Sequence, residues 1–173
     1  MAVSKKLSGV VIFLLLTLTA CHNQKNHTNH PLIGAWYLAS VAWISDEQTQ
    51  RIEQAQPALF LFNKSHYSLM WSPKQSPRVP FEDLSNPTQE EILQGFRSIV
   101  FNAGTYQVLG NQITATAEVA KVPGFEGGQQ FYHFKMEKDK LILTMYDETY
   151  PDGSKPKWSG QWETEFTLVK VKP

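Results

Sequence analysis

Apolar and polar residues alternate along most of this chain with a period of two, the spacing that turns one face of a strand inward and the other to water. From Leu32 onward, Trp36, Leu38, Ser40 and Ala42 alternate with Tyr37, Ala39, Val41 and Trp43, which predicts a first strand with one buried face. Pro57 to Phe62 and His66 to Trp71 are two more aromatic, β-prone runs, and Asn63-Lys64-Ser65 between them has a turn composition. Pro73, Pro77, Pro80 and Pro87 then interrupt any ladder, because proline has no N–H to donate. Further strands are predicted at Thr105 to Leu109, Gln112 to Val122, Gln129 to Glu137, Leu141 to Asp147 and Gln161 to Lys172. Gly110-Asn111 and Lys138-Asp139 are short enough to join antiparallel neighbours, whereas Pro123 to Gly128 and Tyr150 to Gly160 make wider loops.

One segment changes the period. Thr88-Gln89-Glu90-Glu91 offers a capping box, and Ile92, Leu93, Phe96, Ile99 and Val100 recur at helical spacing. A helix is expected from Thr88 to Phe101, ending near Asn102-Ala103-Gly104 and covering one end or one side of the fold. About eight strands, one inserted helix and no βαβ rhythm predict an all-β fold, an antiparallel up-and-down barrel of about eight strands. A β-sandwich is the alternative.

The N-terminal residues follow another logic. Lys5 and Lys6 precede an unbroken apolar run from Val10 to Leu16, which is shorter than the roughly 20 residues a bilayer span needs. Leu18-Thr19-Ala20-Cys21 follows and resembles the lipobox of bacterial lipoproteins. Residues 1–20 are therefore expected to be a signal peptide, with Cys21 the site of lipidation and the membrane a partner through that lipid. His22 stands where a retention signal would favour aspartate, so resemblance to other lipoproteins implies the outer membrane, facing the periplasm, rather than the inner one. Residues 21–31, polar and rich in Asn and His, are expected to tether the lipid to a single domain over 32–173.

Composition narrows the function. The chain has one cysteine, so no intramolecular disulfide is available, and 16 basic residues balance 16 acidic ones without forming a patch, which argues against nucleic acid. His22, His27 and His30 lack a carboxylate or cysteine partner and are read as linker, not as a metal tract. No metal or other cofactor is expected.

Gly34-Ala35-Trp36 resembles the G-x-W signature of the lipocalins and the wider calycin barrels. The succession that follows it is Ser68-Leu69-Met70-Trp71-Ser72-Pro73, Arg78-Val79-Pro80-Phe81, the helix with Glu90-Glu91, then Asn102-Ala103-Gly104-Thr105-Tyr106-Gln107-Val108. In this order it resembles the bacterial lipocalin-like domain family, over roughly Leu32 to Val171. The resemblance implies a barrel and a binding habit more than a reaction. Family members tend to carry a tryptophan in the loop of Pro123 to Gly128 and an arginine near Tyr132 and His133; this chain has Phe125 and no such arginine.

No serine-hydrolase elbow, zinc motif or phosphate loop is present, since Gly124-Phe125-Glu126-Gly127-Gly128 lacks the lysine and helix that such a loop needs. His66 and His133 are the histidines inside the domain, and by resemblance to nitrobindin-type barrels one of them could hold haem. The strand period instead puts His133 outside with Lys135 and Glu137. Glu163 and Glu165 share a face, and their alternation with Trp162, Phe166 and Leu168 makes that face the wet one.

What remains is an aromatic interior. Trp36, Leu38, Tyr106, Tyr132, Phe134, Trp162 and Phe166 are the candidate ligand-binding residues; Ile113, Ala117 and Leu143 are also expected inside, with Trp36 deepest and the hydroxyls of Tyr106 and Tyr132 orienting the ligand. The sequence thus favours a small hydrophobic or amphipathic ligand held in the barrel and no catalytic residues. The alternatives are a filled, structural barrel and a lipocalin-fold enzyme. A buried carboxylate, tyrosine or histidine lining a pocket with a partner would favour the enzyme.

Overall fold

A computed structural model describes residues 30–172. The expected signal peptide, Cys21 and most of the expected tether lie outside these residues. The strands are β1 Gly34–Ile44, β2 Thr49–Ile52, β3 Leu59–Phe62, β4 His66–Trp71, β5 Val100–Leu109, β6 Gln112–Ala120, β7 Gln129–Glu137, β8 Lys140–Thr149 and β9 Glu163–Lys170, with helix α1 at Gln89–Arg97 between β4 and β5. Consecutive strands from β3 to β9 pair antiparallel, and β1 bonds β3 on one edge and β9 on the other. Eight strands therefore close into a barrel, as the sequence predicts. The short β2, which the sequence did not suggest, adds to the far half of β1 and is tied across to β9 by Arg51 and Glu165, 3.3 Å apart.

The turns are built as their residues require. Asn63 Oδ1 accepts from the N–H groups of Ser65 and His66 at 2.8 and 2.7 Å, which closes the β3–β4 turn. Gly110 and Lys138, both at positive φ, make the β5–β6 and β7–β8 turns. These tight turns lie at one end of the barrel, and that end is plugged. The backbone folds back from Ile33 to His30, Leu32 is fully buried, and Trp36 Nε1 donates to the Leu32 carbonyl at 2.8 Å. His30, in the segment expected to be tether, meets the edge of Phe134 at 5.8 Å. Above the plug, Phe166 packs against Phe60 at 5.4 Å and Trp71 at 5.0 Å and fills the waist with rings. At the opposite end, here the mouth, the longer loops and α1 gather.

The helix departs from expectation at its far end and on its apolar face. Thr88 caps it, and the reciprocal bonds with Glu91 complete the capping box. It stops at Arg97, with Ser98 as C-cap, and Val100 and Phe101 instead pair with Trp71 and Met70 as the start of β5. β-branched and aromatic side chains gain more from that ladder than from another helical turn. No residue of α1 is buried: Ile92, Leu93 and Phe96 are 53%, 41% and 43% exposed. The helix leans on its preceding loop, where Glu91 also accepts from the Glu82 N–H, and does not cap the barrel. Among the described residues no helix is long and apolar enough to cross a membrane.

Candidate functional site

The candidate interior residues do not form one pocket. Trp36 is sealed at the plugged end beneath the Lys170 ammonium, 5.1 Å from its ring, and Leu38 is buried nearby. Tyr106 belongs to the same end: its hydroxyl donates to the Asn63 carbonyl at 2.6 Å, which ties down a turn and leaves it no orienting role in the mouth. Phe134 faces the plug, and Phe166 fills the waist. Trp162 is not inside. It precedes β9, is 37% exposed, and stacks on Trp158 at 6.0 Å on the rim, because β9 begins only at Glu163. There it lines an open cleft of about 460 Å³ with Trp43, Gln48, Gln50 and Pro73. Of the seven, Tyr132 alone joins the polar cluster at the mouth.

That cluster was missed by sequence reasoning. Asn102 on β5, Gln130 and Tyr132 on β7, and Glu148 on β8 meet inside the barrel just below the mouth. Asn102 Nδ2 donates to Gln130 Oε1 at 3.1 Å, the Tyr132 hydroxyl donates to the same oxygen at 2.9 Å, and Gln130 Nε2 donates to Glu148 Oε2 at 2.7 Å. Asn102, Gln130 and Tyr132 are 4%, 7% and 3% exposed. Tyr67 on β4, also inward and 4% exposed, completes the polar set. Its hydroxyl and Asn102 Oδ1 are sealed from solvent without a hydrogen-bond partner. Such groups are few in native interiors, since each costs about 1–3 kcal/mol unless something satisfies it.

The cluster is the floor of a cleft of about 240 Å³ at the mouth. Asn102, Gln130 and Glu148 contribute the polar lining, and Val100, Val122, Phe125 and Tyr150 the apolar walls, with the last two rings edge to face at 6.4 Å. Lys121 also borders it, but its ammonium donates to the carbonyls of Phe96 and Ile99 at 2.8 and 2.6 Å and so closes the end of α1. Burial lowers the Lys121 pKa.

Burial also sets the protonation of the floor. It raises the Glu148 pKa, opposed by the bond from Gln130 and aided by the nearby charge of Asp147. It raises that of Tyr132 well above the ordinary phenol value, with the charges of Tyr67 and Glu148 adding to the effect. Tyr67 is raised likewise, by burial first and then by Glu118 and Glu148. Both phenols therefore stay neutral and act as hydrogen-bonding groups.

The remaining candidates stand apart. His133 faces outward as its strand period required, but it is half-buried and stacked on Tyr146 at 4.4 Å, not freely solvated. His66 is exposed at the β3–β4 turn, with Nδ1 2.8 Å from Ser65 Oγ. Glu163 and Glu165 project outward, the latter toward Arg51. Among the described residues no group of three or more His, Cys, Asp or Glu side chains is arranged to hold a metal.

A closed antiparallel barrel, plugged at one end and carrying its longer loops and clefts at the other, has the architecture of the lipocalin-like proteins. The family model for the lipocalin-like domain matches residues 33–172, and the chain belongs to that family. No curated protein matches the chain. Among solved structures it is similar to an uncharacterized protein from Bacteroides eggerthii DSM 20697, 13% identical, with 81% of this chain and 99% of that one covered and a TM-score of 0.39.

Proposed function

We propose that this protein is a lipid-anchored binding protein of the bacterial envelope, which takes up a small amphipathic molecule at the mouth of its barrel. The observation that carries the reading is the cleft floored by Asn102, Gln130 and Glu148 and walled by apolar side chains. A few fixed polar groups beneath an apolar wall orient a ligand while burial of its apolar part supplies affinity. The ligand sits at the mouth and not beside Trp36, because Phe60, Phe166 and Trp71 occupy the waist.

Native mass spectrometry of the protein taken from the envelope tests this. An added mass beyond polypeptide and lipid is expected, and Ala120→Trp, which places an indole in the cleft, is expected to abolish it. Persistence of the added mass in that variant would move the site elsewhere. No added mass, together with no shift in melting temperature across a panel of amphiphiles, would leave the filled-barrel alternative. The anchor is tested separately: Cys21→Ser is expected to lose palmitate labelling and leave the membrane fraction.

A second reading has its own support. Glu148 is a half-buried carboxylate with a raised pKa, lining a cleft and partnered by Gln130, and this is the feature that favours a lipocalin-fold enzyme. In that reading Glu148 moves a proton on the bound molecule. Recovery of the captured molecule chemically unchanged after incubation with the protein speaks for binding alone.

A further inference from the structure

The polar cluster has a fixed sense of direction. Gln130 turns its Nε2 group toward Glu148, whose Oε2 accepts from it. Gln130 must then turn Oε1 toward Tyr132 and Asn102, and Asn102 must present Nδ2 to that oxygen. What is left over at the far end is Asn102 Oδ1, an acceptor buried without a donor. At the near end, Glu148 Oε1 accepts no hydrogen bond among the described residues, since the one bond to this carboxylate falls on Oε2. The Tyr67 hydroxyl, also without a partner, can turn either way. Both ends of the chain of bonds therefore lack donors and neither lacks an acceptor. The cation that borders the cleft does not fill the need, because Lys121 is held by the carbonyls of Phe96 and Ile99.

We propose, resting on the binding function above, that the ligand is an amphipathic amine whose ammonium group is held by Glu148 while its apolar part lies against Val122, Phe125 and Tyr150. An ammonium brings three donors and a positive charge to a place that lacks both. A hydroxyl brings one donor and no charge, and a carboxylate brings a second negative charge beside Glu148. The carboxylate–ammonium contact is formed in a partly desolvated site, where charge-assisted hydrogen bonds are stronger than neutral ones.

The test is a calorimetric titration of the purified full-length protein with octylamine, octanol and octanoate, three probes matched in chain length. Octylamine is expected to bind at least about tenfold more tightly than octanol, and octanoate more weakly than either. Glu148→Gln keeps an acceptor for Gln130 and removes the charge; it is expected to erase the preference for octylamine over octanol. If octanol or octanoate binds as tightly as octylamine, or if Glu148→Gln retains the preference, the amine assignment is wrong and the binding function stands. If none of the three binds, the binding function at this cleft falls with it. The wild-type ranking is conclusive by itself should the variant fail to fold.

Discussion

Replacing Gln130 with leucine sets two forces in the barrel against each other. The two side chains are similar in size, and leucine would add apolar burial worth roughly 25 cal/mol per Å². The hydrogen bonds argue the other way, because Gln130 Oε1 is the acceptor for both Asn102 Nδ2 and the Tyr132 hydroxyl. Both donors belong to residues less than a tenth exposed, so neither finds water in its place. At about 1–3 kcal/mol for each stranded donor, Gln130→Leu is expected to destabilise the domain by about 2–6 kcal/mol. Glu148 also loses a donor, but it reaches the cleft, where water substitutes. Tyr132→Phe removes one donor and leaves Gln130 Oε1 bonded to Asn102, so its expected loss is only about 0.5–1.5 kcal/mol. Urea unfolding of the two variants followed by tryptophan emission reads both numbers. A thermal scan should show Gln130→Leu lower by at least ~4 °C, taking ~2 °C per kcal/mol for a domain of this size. A Gln130→Leu variant as stable as the parent would refute the reasoning and make apolar packing the ruling force at this position.

Two further expectations follow from other parts of the barrel. Burial raises the folded-state pKa of Glu148, so the native protein holds this proton more tightly than the unfolded chain does; its contribution to stability is full below the unfolded carboxylate value and is lost as pH rises through the raised one. Glu148→Gln, neutral throughout, should therefore gain stability over the parent at about pH 7 and lose that gain toward about pH 4, and paired urea curves at the two pH values that show a constant difference would contradict this. Leu32→Ala should cost about 2–5 kcal/mol by opening a cavity beneath Trp36, although Leu32 stands before the first strand; a loss under ~0.5 kcal/mol in urea unfolding would mean that the plug does not hold the barrel closed.

Most of the architecture was legible because its signals are local. Turn residues at Asn63, Gly110 and Lys138 sit where the chain reverses, and the capping box of Thr88 and Glu91 marks the start of the helix. The helix end was less legible, since Ile99 and Val100 fit the helical spacing by chance while pairing with Trp71 settles the state of Val100. Starting β5 at Thr105 had a further cost: it left Asn102 in a supposed helix end, and a buried asparagine at an inward strand position went unseen. The short β2 carries no periodic signal, with Ile52 its one buried residue.

The site itself was hidden by β-bulges. Alternation on β8 from Leu141, Leu143 and Met145 would turn Asp147 inward and Glu148 outward. The register shift between Phe131 and Tyr132 leaves Tyr146 as the extra residue, so that Glu148 instead pairs with the inward Gln130 and Asp147 with the outward Phe131. On β6 a second shift leaves Glu118 unpaired and brings Ala120, not Val119, opposite Asn102. Gly104 is required there, because a Cβ would stand 2.0 Å from the Thr116 carbonyl oxygen. A third shift after Leu38 carries Val41 and Trp43 into the interior in place of Ser40 and Ala42, opposite Phe166 and Thr164. Each bulge reverses the parity on which the sequence pattern depends, and each does so on the way to the mouth. Bulges bend strands and re-aim side chains, commonly beside functional sites. Here they divide the barrel into a lower half that follows the hydrophobic alternation and packs shut, and an upper half where polar residues turn inward against it. The chain gives up regular pairing at Tyr146 and Glu118 and gains Glu148 facing Gln130 and the small Ala120 beside Asn102, which together form the floor of the cleft.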